Sequence, residues 1–141
     1  MTAPSYLDPA DRIAIEDLLT DLSLAVDDRE PQRLSTLVTE DVSFDVGHGP
    51  ILGRGAVVEG FSARASDLSF VARHLWSNLK IVAVDGDTVR LRCAFATFAV
   101  TDLDGARSRI WRCGDYHDVV RKGADGRWLL AERRLDLALP D

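Results

Sequence analysis

Residues 88–121 read TVRLRCAFATFAVTDLDGARSRIWRCGDYHDVVR, and this stretch decides the fold because two segments of strand-forming residues flank a turn signal. The signal runs from Asp102 to Gly105, with Asp first and Gly fourth, as a type I turn favours. The stretch therefore predicts a long antiparallel hairpin. The pairs expected across it are Leu91 with Tyr116, Cys93 with Gly114 and Phe95 with Arg112.

Side chains alternate between the two faces of each strand in this hairpin. In the expected register, one face carries Thr97, Arg112 and Tyr116. Cys113 falls on the face opposite Cys93, so we expect no disulfide between them.

The strand pattern continues on both sides of the hairpin. Residues 70–137 divide into about four strands, which are separated by turn signals at 85–87, 102–105 and 122–126. The second half of the chain is therefore predicted to be an antiparallel meander.

The first half has helical periodicity. Asp8 can cap a helix whose first residue is Pro9, so the helix should begin at about residue 9. Pro31 starts a second, shorter helix, and the two should form a helical hairpin. The apolar residues at helical spacing are Ile15, Leu18, Leu19, Leu22, Ala25 and Val26 in the first helix and Leu34, Leu37 and Val38 in the second.

A short strand and a third helix complete the first half. Val42 to Val46 is predicted to be the strand, and Ala56 to about Ala65 the helix. Helices first and an antiparallel sheet later predict an α+β domain with the helices packed on one face of the sheet. We expect residues 1–141 to form this one domain.

The composition limits the classes of function. With a net charge of −6 and its 17 basic residues scattered along the chain, it offers no surface for nucleic acid or anionic lipid. No apolar run reaches membrane-spanning length and residues 1–6 do not resemble a signal peptide, so we expect a cytoplasmic protein. Two cysteines and three isolated histidines lack metal-ligand spacing, which predicts no metal site.

Strand alternation places polar residues among apolar ones at two positions. His74 shares a predicted face with Phe70, Ala72, Trp76 and Asn78, and Arg133 shares one with Leu129, Ala131, Leu135 and Leu137. Glu132, Arg134 and Asp136 fall on the other face of that last strand.

An inward arginine needs an anion nearby, and Asp27 in the last turn of the first helix is a candidate partner. Each of these residues also has a structural interpretation. His74 can be a hydrogen-bonded core residue, Arg133 can pack its stem and reach water, and Asp27 can belong to a solvated turn. Arg112 and Tyr116 can likewise be structural.

A set of short segments occurs in a characteristic order along residues 8–137. They are Ala25 to Arg29, Leu34 with Leu37, Glu40 to Phe44, Gly53-Arg54, Arg73-His74 with Asn78, Gly114 to Tyr116, and Gly126 to Trp128 with Arg133. This order resembles that of the SnoaL-like proteins in the nuclear transport factor 2-like superfamily. The resemblance implies a cone-shaped α+β fold, with a strongly curved sheet around three helices and a deep apolar pocket. It also implies a homodimer.

A narrower resemblance is to scytalone dehydratase, hexachlorocyclohexane dehydrochlorinase and bile acid dehydratase. Asp27 and His74 match the Asp and His that these enzymes pair in their sites, and Arg133 matches an arginine of the latter two. The chain departs from them at Leu22, where they carry Tyr or Lys, and near Thr97, where some carry a further acid or His.

An Asp–His base predicts a cofactor-independent lyase or isomerase, such as a dehydratase or double-bond isomerase. The resemblance also implies a polyketide cyclase of antibiotic biosynthesis as a candidate. His74 would be the base, Asp27 its orienting carboxylate, and Arg133 a support for the pair or a clamp for negative charge. Tyr116 could donate a hydrogen bond to a small hydrophobic substrate, for which polyketide-like compounds are one candidate class. The substrate-binding residues would be Phe44, Phe70, Trp76, Phe95, Thr97, Arg112 and Tyr116.

Two other functions remain open. A noncatalytic ligand-binding or assembly module is favoured by Leu22 and Thr97, and a small subunit of a ring-hydroxylating oxygenase is a third hypothesis. The family resemblance and an apolar outer face with Phe98, Val100 and Trp111 predict a homodimer. Arg90 and Arg92 on that face could pair with acidic groups of the second copy.

Overall fold

The computed structural model describes residues 6–103 and 106–139, in which three helices and six strands are found. No helix in this part of the chain is long and apolar enough to cross a membrane. The helices are α1 (Pro9–Asp27), α2 (Pro31–Ser35) and α3 (Arg54–Ala65). The strands are β1 (Val38–Asp45), β2 (Ile51–Leu52), β3 (Val71–Asp85), β4 (Thr88–Leu103), β5 (Ala106–Lys122) and β6 (Trp128–Leu137).

Helix α1 begins where the sequence predicts. The Asp8 carboxylate accepts a hydrogen bond of 2.7 Å from the Ala10 N–H, and Pro9 occupies the first turn. The apolar stripe of this helix is buried in the core, at Ile15, Leu18, Leu19, Leu22 and Ala25.

The segment after α2 differs from the prediction. Val38 begins a strand instead of continuing the helix, because it pairs with Leu130 of β6 and the Leu37 carbonyl accepts the Leu130 N–H at 2.9 Å. Strand β1 therefore starts four residues before the predicted Val42. Such a long-range partner overrides the local helical pattern.

The sheet has the strand order β2-β1-β6-β5-β4-β3 and is curved and unclosed. Its four long strands β3 to β6 form the predicted meander. The predicted α+β, cone-like class is confirmed, although β1 runs parallel to β6 and the sheet is therefore mixed instead of wholly antiparallel. The short strand β2, which pairs with β1, is not signalled in the sequence.

The β4–β5 hairpin forms in a register shifted by two residues from the predicted one. Strand β4 continues to Leu103 and β5 starts at Ala106, so the centre of the hairpin lies one residue further along the chain than predicted. The predicted turn, Asp102 to Gly105, lies partly outside the described residues. A shift of two preserves the face of every side chain, so Thr97, Arg112 and Tyr116 still share one. The observed pairs are Leu91 with Asp118, Cys93 with Tyr116, Phe95 with Gly114 and Thr97 with Arg112.

Glycine is required at 114 because β6 passes very close to it. A Cβ atom at that position would overlap the Asp136 carbonyl oxygen. Cys93 and Cys113 are both free thiols, as expected from their opposite faces.

A β-bulge in β6 changes which residues face the core, compared with the alternation predicted for this strand. Val119 pairs with Glu132 and Val120 with Leu130, so Ala131 is an extra residue in the strand. Before the bulge, Trp128 and Leu130 are buried and Leu129 is not on the inner face. After it, Arg133 points inward as predicted, while Leu137 is exposed at the end of the strand.

A second irregularity limits the predicted face of β3. Ala72, His74 and Trp76 lie on its inner side, but Asn78 is exposed and has a φ of +56°, where the pairing with β4 shifts. Phe70 lies just before the strand.

Candidate active site

Asp27 and His74 form a buried pair between α1 and β3. The Asp27 Oδ1 lies 2.6 Å from His74 Nδ1, and Asp27 Oδ2 accepts the His74 backbone N–H at 2.9 Å. The Asp27 side chain is only 4% exposed, against 17% for His74. Because the carboxylate is best satisfied by an Nδ1–H donor, it selects the neutral tautomer in which Nε2 carries the free lone pair.

The turn after α1 fixes Asp27 in this position. Arg29 has a φ of +60°, and its guanidinium donates hydrogen bonds to three carbonyl groups between α3 and β3. These are the carbonyls of Asp67 (2.6 Å), Ala65 (3.4 Å) and Phe70. Arg29 thereby ties the end of α1 to the chain that enters β3, where His74 lies.

Arg133 pairs with Asp118, and not with Asp27 as considered from the sequence. Its Nε and Nη2 donate to the two Asp118 oxygens at 2.9 and 2.7 Å, and the side chains are 6% and 0% exposed. Burial by itself would lower the pKa of Arg133, but the charge and hydrogen bonds of Asp118 outweigh it and raise the pKa. Arg133 is therefore permanently charged and neutralised by Asp118.

Asp118 is one of the site residues that the sequence did not indicate. The alternation of β5 places it on the inner face with Tyr116 and Val120, and this apolar setting is a signal that could have found it. The predicted register placed Leu91 opposite Tyr116 and so drew no attention to Asp118.

Tyr116 lies between Arg133 and Phe95. The Arg133 Cζ is 3.8 Å from the centroid of the Tyr116 ring, and the Phe95 ring stacks on its other side at 4.4 Å. Burial is the main cause that raises the pKa of Tyr116, so its hydroxyl stays protonated as a hydrogen-bond donor.

A cavity of about 230 Å³ opens beside these groups, between the helices and the inner face of the sheet. It brings together six of the residues predicted from the sequence, whereas Asp27 lies behind His74 and outside the lining. The six are Phe44, His74, Thr97, Arg112, Tyr116 and Arg133.

Three predicted wall residues do not line this cavity. Phe95 is covered by Tyr116, and Trp76 donates its Nε1–H to Thr20 Oγ1 at 3.1 Å instead of facing the cavity. Phe70 lies under the Arg64 guanidinium, 4.9 Å from ring centroid to Cζ, and lines a smaller neighbouring recess with Asp27.

The cavity also has residues that the strand analysis did not select. Helix α3 contributes Phe61 and Arg64, and the loop between β1 and β2 contributes His48. Their positions depend on how α3 and this loop pack against the sheet, which strand alternation does not report.

The described part of the chain contains no group of three His, Cys, Asp or Glu side chains placed to hold a metal ion. The polar side chains that line the cavity are instead those of arginine, histidine, tyrosine, threonine and serine. These groups can bind oxygen atoms of a ligand and, at His74, accept a proton.

A curved sheet packed on three helices, with a cavity between the layers, defines a protein of the nuclear transport factor 2-like fold. Within this class, the SnoaL-like domain family matches residues 9–134. The chain therefore belongs to the SnoaL-like family, as the order of its sequence features indicated. No curated protein matches the chain.

Solved structures resemble the whole chain at low identity. One is a proposed aromatic ring hydroxylase from Novosphingobium aromaticivorans, with 27% identity and a TM-score of 0.83 over 96% of this chain and 94% of that one. A proposed scytalone dehydratase from the same organism has 24% identity and a TM-score of 0.78 over 92% and 85%. LinA has 23% identity and a TM-score of 0.77 over 92% and 87%. The last two show similarity of fold alone.

Proposed function

We propose that the protein is a cofactor-independent lyase or isomerase that acts on a small hydrophobic substrate by Asp–His general base catalysis. The observation that carries this proposal is the 2.6 Å contact between Asp27 Oδ1 and His74 Nδ1, on a histidine that lines the cavity. A protein of the same fold is a proposed scytalone dehydratase, and dehydration belongs to the reaction class proposed here.

In this mechanism, His74 Nε2 removes a proton from a carbon beside a carbonyl group or a leaving group. The electron pair of the broken C–H bond forms a new double bond, and a leaving group departs or an enolate oxygen forms. Asp27 stabilises the positive charge that the imidazole gains with the proton. Dehydration, double-bond migration and ring closure all begin with this step.

Tyr116 and Arg133 are the proposed oxygen-binding groups. Tyr116 can donate its hydroxyl hydrogen to an enolate oxygen or to a departing hydroxyl group. The charge of Arg133 is neutralised by Asp118, so we do not assign Arg133 the attraction of a negatively charged group. Its proposed roles are to donate a hydrogen bond to the substrate and to support the Tyr116 ring.

The test is a screen in which aromatic β-hydroxy ketones are offered to the protein. Dehydration is detected by the absorbance of the conjugated enone that it forms. For a compound that the protein converts, His74→Ala and Asp27→Asn should each lower turnover by about 10² to 10⁴ fold. The double variant should be little worse than the worse single variant, because the two residues act as one unit. Full turnover in both single variants would overturn the proposal.

The competing function is a noncatalytic binding module on the same fold. Leu22 and Thr97 favour it, because both line the cavity where related enzymes carry additional proton-transfer groups. A module of this kind would bind compounds from the screen without converting any of them, and His74→Ala would change only the affinity.

We also propose that a second copy of the chain covers the outer face of the sheet. Phe98 and Trp111 are 44% and 69% exposed there and contact each other edge to face at 5.3 Å; Val71 and Leu75 extend the patch. Light scattering should give a dimer, and Trp111→Lys should shift it toward monomer. A monomeric wild-type protein at micromolar concentration would contradict this proposal.

A further inference from the structure

Among the lining residues, Arg64 is exposed and Arg112 is half-buried, whereas Tyr116 and Arg133 are buried. Arg64 and Arg112 therefore mark the open side, or mouth, of the cavity. Arg64 and Arg112 both line the cavity, and within the described residues neither guanidinium lies within ion-pair distance of an Asp or Glu. The described lining has three arginines and no carboxylate, in a chain whose net charge is −6. A positive cavity in an acidic protein selects negatively charged ligands.

Arg112 is held in place by the loop between β1 and β2. Its Nη2 donates to the Val46 carbonyl at 3.0 Å, and Gly47 follows with a φ of +105° and lies against the same nitrogen. A guanidinium has five N–H groups, and the contact with Val46 uses one of them. Within the described residues no other hydrogen bond from this guanidinium is found, so its remaining N–H groups can bind a ligand at the mouth.

Arg64 reaches the mouth from α3. Its Cζ lies 5.8 Å from the Phe61 ring centroid and 4.9 Å from that of Phe70, so two aromatic rings contact a guanidinium that has no acidic partner among the described residues. Partial burial, followed by the charge of Arg112, lowers the pKa of Arg64. Two guanidinium groups that repel each other gain from an anion bound between them.

The charge of the whole site indicates how many negative charges the ligand carries. Asp27 and Asp118 supply two negative charges, and Arg64, Arg112 and Arg133 supply three positive ones, which leaves one positive charge when His74 is neutral. A monoanion restores the balance. Apolar side chains such as Phe44 and Leu135 line the remainder of the cavity.

We propose that the substrate is an apolar ring compound with a carboxylate group, and that Arg64 and Arg112 bind this carboxylate at the mouth of the cavity. The apolar body then extends inward to His74, so the reacting carbon is remote from the acid group. This inference rests on the proposed function for its substrate, but the binding of an anion can be measured without turnover.

The experiment compares 2-naphthoate with 2-naphthamide, which has nearly the same shape and no charge, by titration calorimetry. The wild-type protein should bind the acid about tenfold more tightly than the amide, and high salt should reduce this preference. Arg64→Gln and Arg112→Gln should each weaken binding of the acid by about 3- to 10-fold and leave the amide unchanged. Arg64→Lys and Arg112→Lys should retain part of the preference, because they keep the charge.

Arg127→Gln is the matched control, because it removes the same charge from an exposed position just before β6, and Arg127 does not line the cavity. It should leave both affinities unchanged, and circular dichroism should show that each variant is folded. If the acid binds no more tightly than the amide, or if neither compound binds, the carboxylate site is wrong. A loss of preference in Arg127→Gln equal to that in the cavity variants would also overturn it.

The binding experiment and the turnover test of the proposed function can fail independently of each other. His74→Ala should keep the preference for the acid while turnover is lost. A preference for the acid together with unchanged turnover in His74→Ala would refute the catalytic proposal alone. If the wild-type protein binds the acid and the amide equally while His74→Ala loses turnover, only the carboxylate site is refuted.

Discussion

Two buried carboxylates stand behind the cavity, and they hold partners of different chemistry. Asp27 contacts a histidine, whose ring has a nitrogen lone pair that can accept a proton, whereas Asp118 contacts an arginine, which has only N–H donors. The first pair can therefore take part in proton transfer, while the second provides a fixed, neutralised wall. Similar burial and similar distances thus give one pair suited to catalysis and one suited to support.

The largest expected difference between the pairs is in stability. Asp118→Asn leaves the Arg133 charge buried without a counterion, and we expect a loss of about 3 to 5 kcal/mol in the free energy of unfolding. Asp27→Asn leaves a neutral histidine and an amide oxygen that can still accept the His74 N–H, so its loss should be about 1 kcal/mol. Urea unfolding of the two variants measures both values.

The control for this comparison replaces the whole Asp118–Arg133 pair. The double variant Asp118→Leu with Arg133→Met fills the space with apolar groups and should recover most of the stability lost in Asp118→Asn. Equal losses in Asp118→Asn and Asp27→Asn would show that the two pairs do not differ as described.

The same two pairs show what could be predicted from the sequence. Alternation in β6 and the family resemblance identified Arg133, His74 and Asp27, because the face of a strand residue is a local property. The partner of Arg133 could not be found in the same way, because it depends on how β5 pairs with β6, where Asp118 lies opposite Arg133. The predicted pairs concerned only the β4–β5 hairpin, in which a shift of two residues kept every side chain on its predicted face and changed every pair.

Other differences have the same origin in long-range contacts. Val38 fits a helical pattern until its pairing with β6 is known, and the bulge at Ala131 moves Leu129 off the inner face although the strand itself was predicted. Arg64 lines the cavity because α3 packs against it, and no local pattern in the sequence reports this packing. Local patterns therefore predicted the elements, and packing decided which of their side chains meet.

The smallest expected effect concerns the turn that positions Asp27 in the first pair. Arg29 has a left-handed φ of +60°, which costs about 1 kcal/mol for a residue with a side chain, while its guanidinium holds carbonyl groups between α3 and β3. Arg29→Gly removes both the strain and the hydrogen bonds, so we expect a net loss of about 1 kcal/mol; Arg29→Ala keeps the strain and should lose about 2 kcal/mol. Turnover of a converted substrate should fall about tenfold in both variants, because Asp27 is no longer held against His74. Stability losses with unchanged turnover would mean that Arg29 supports the fold without positioning the pair.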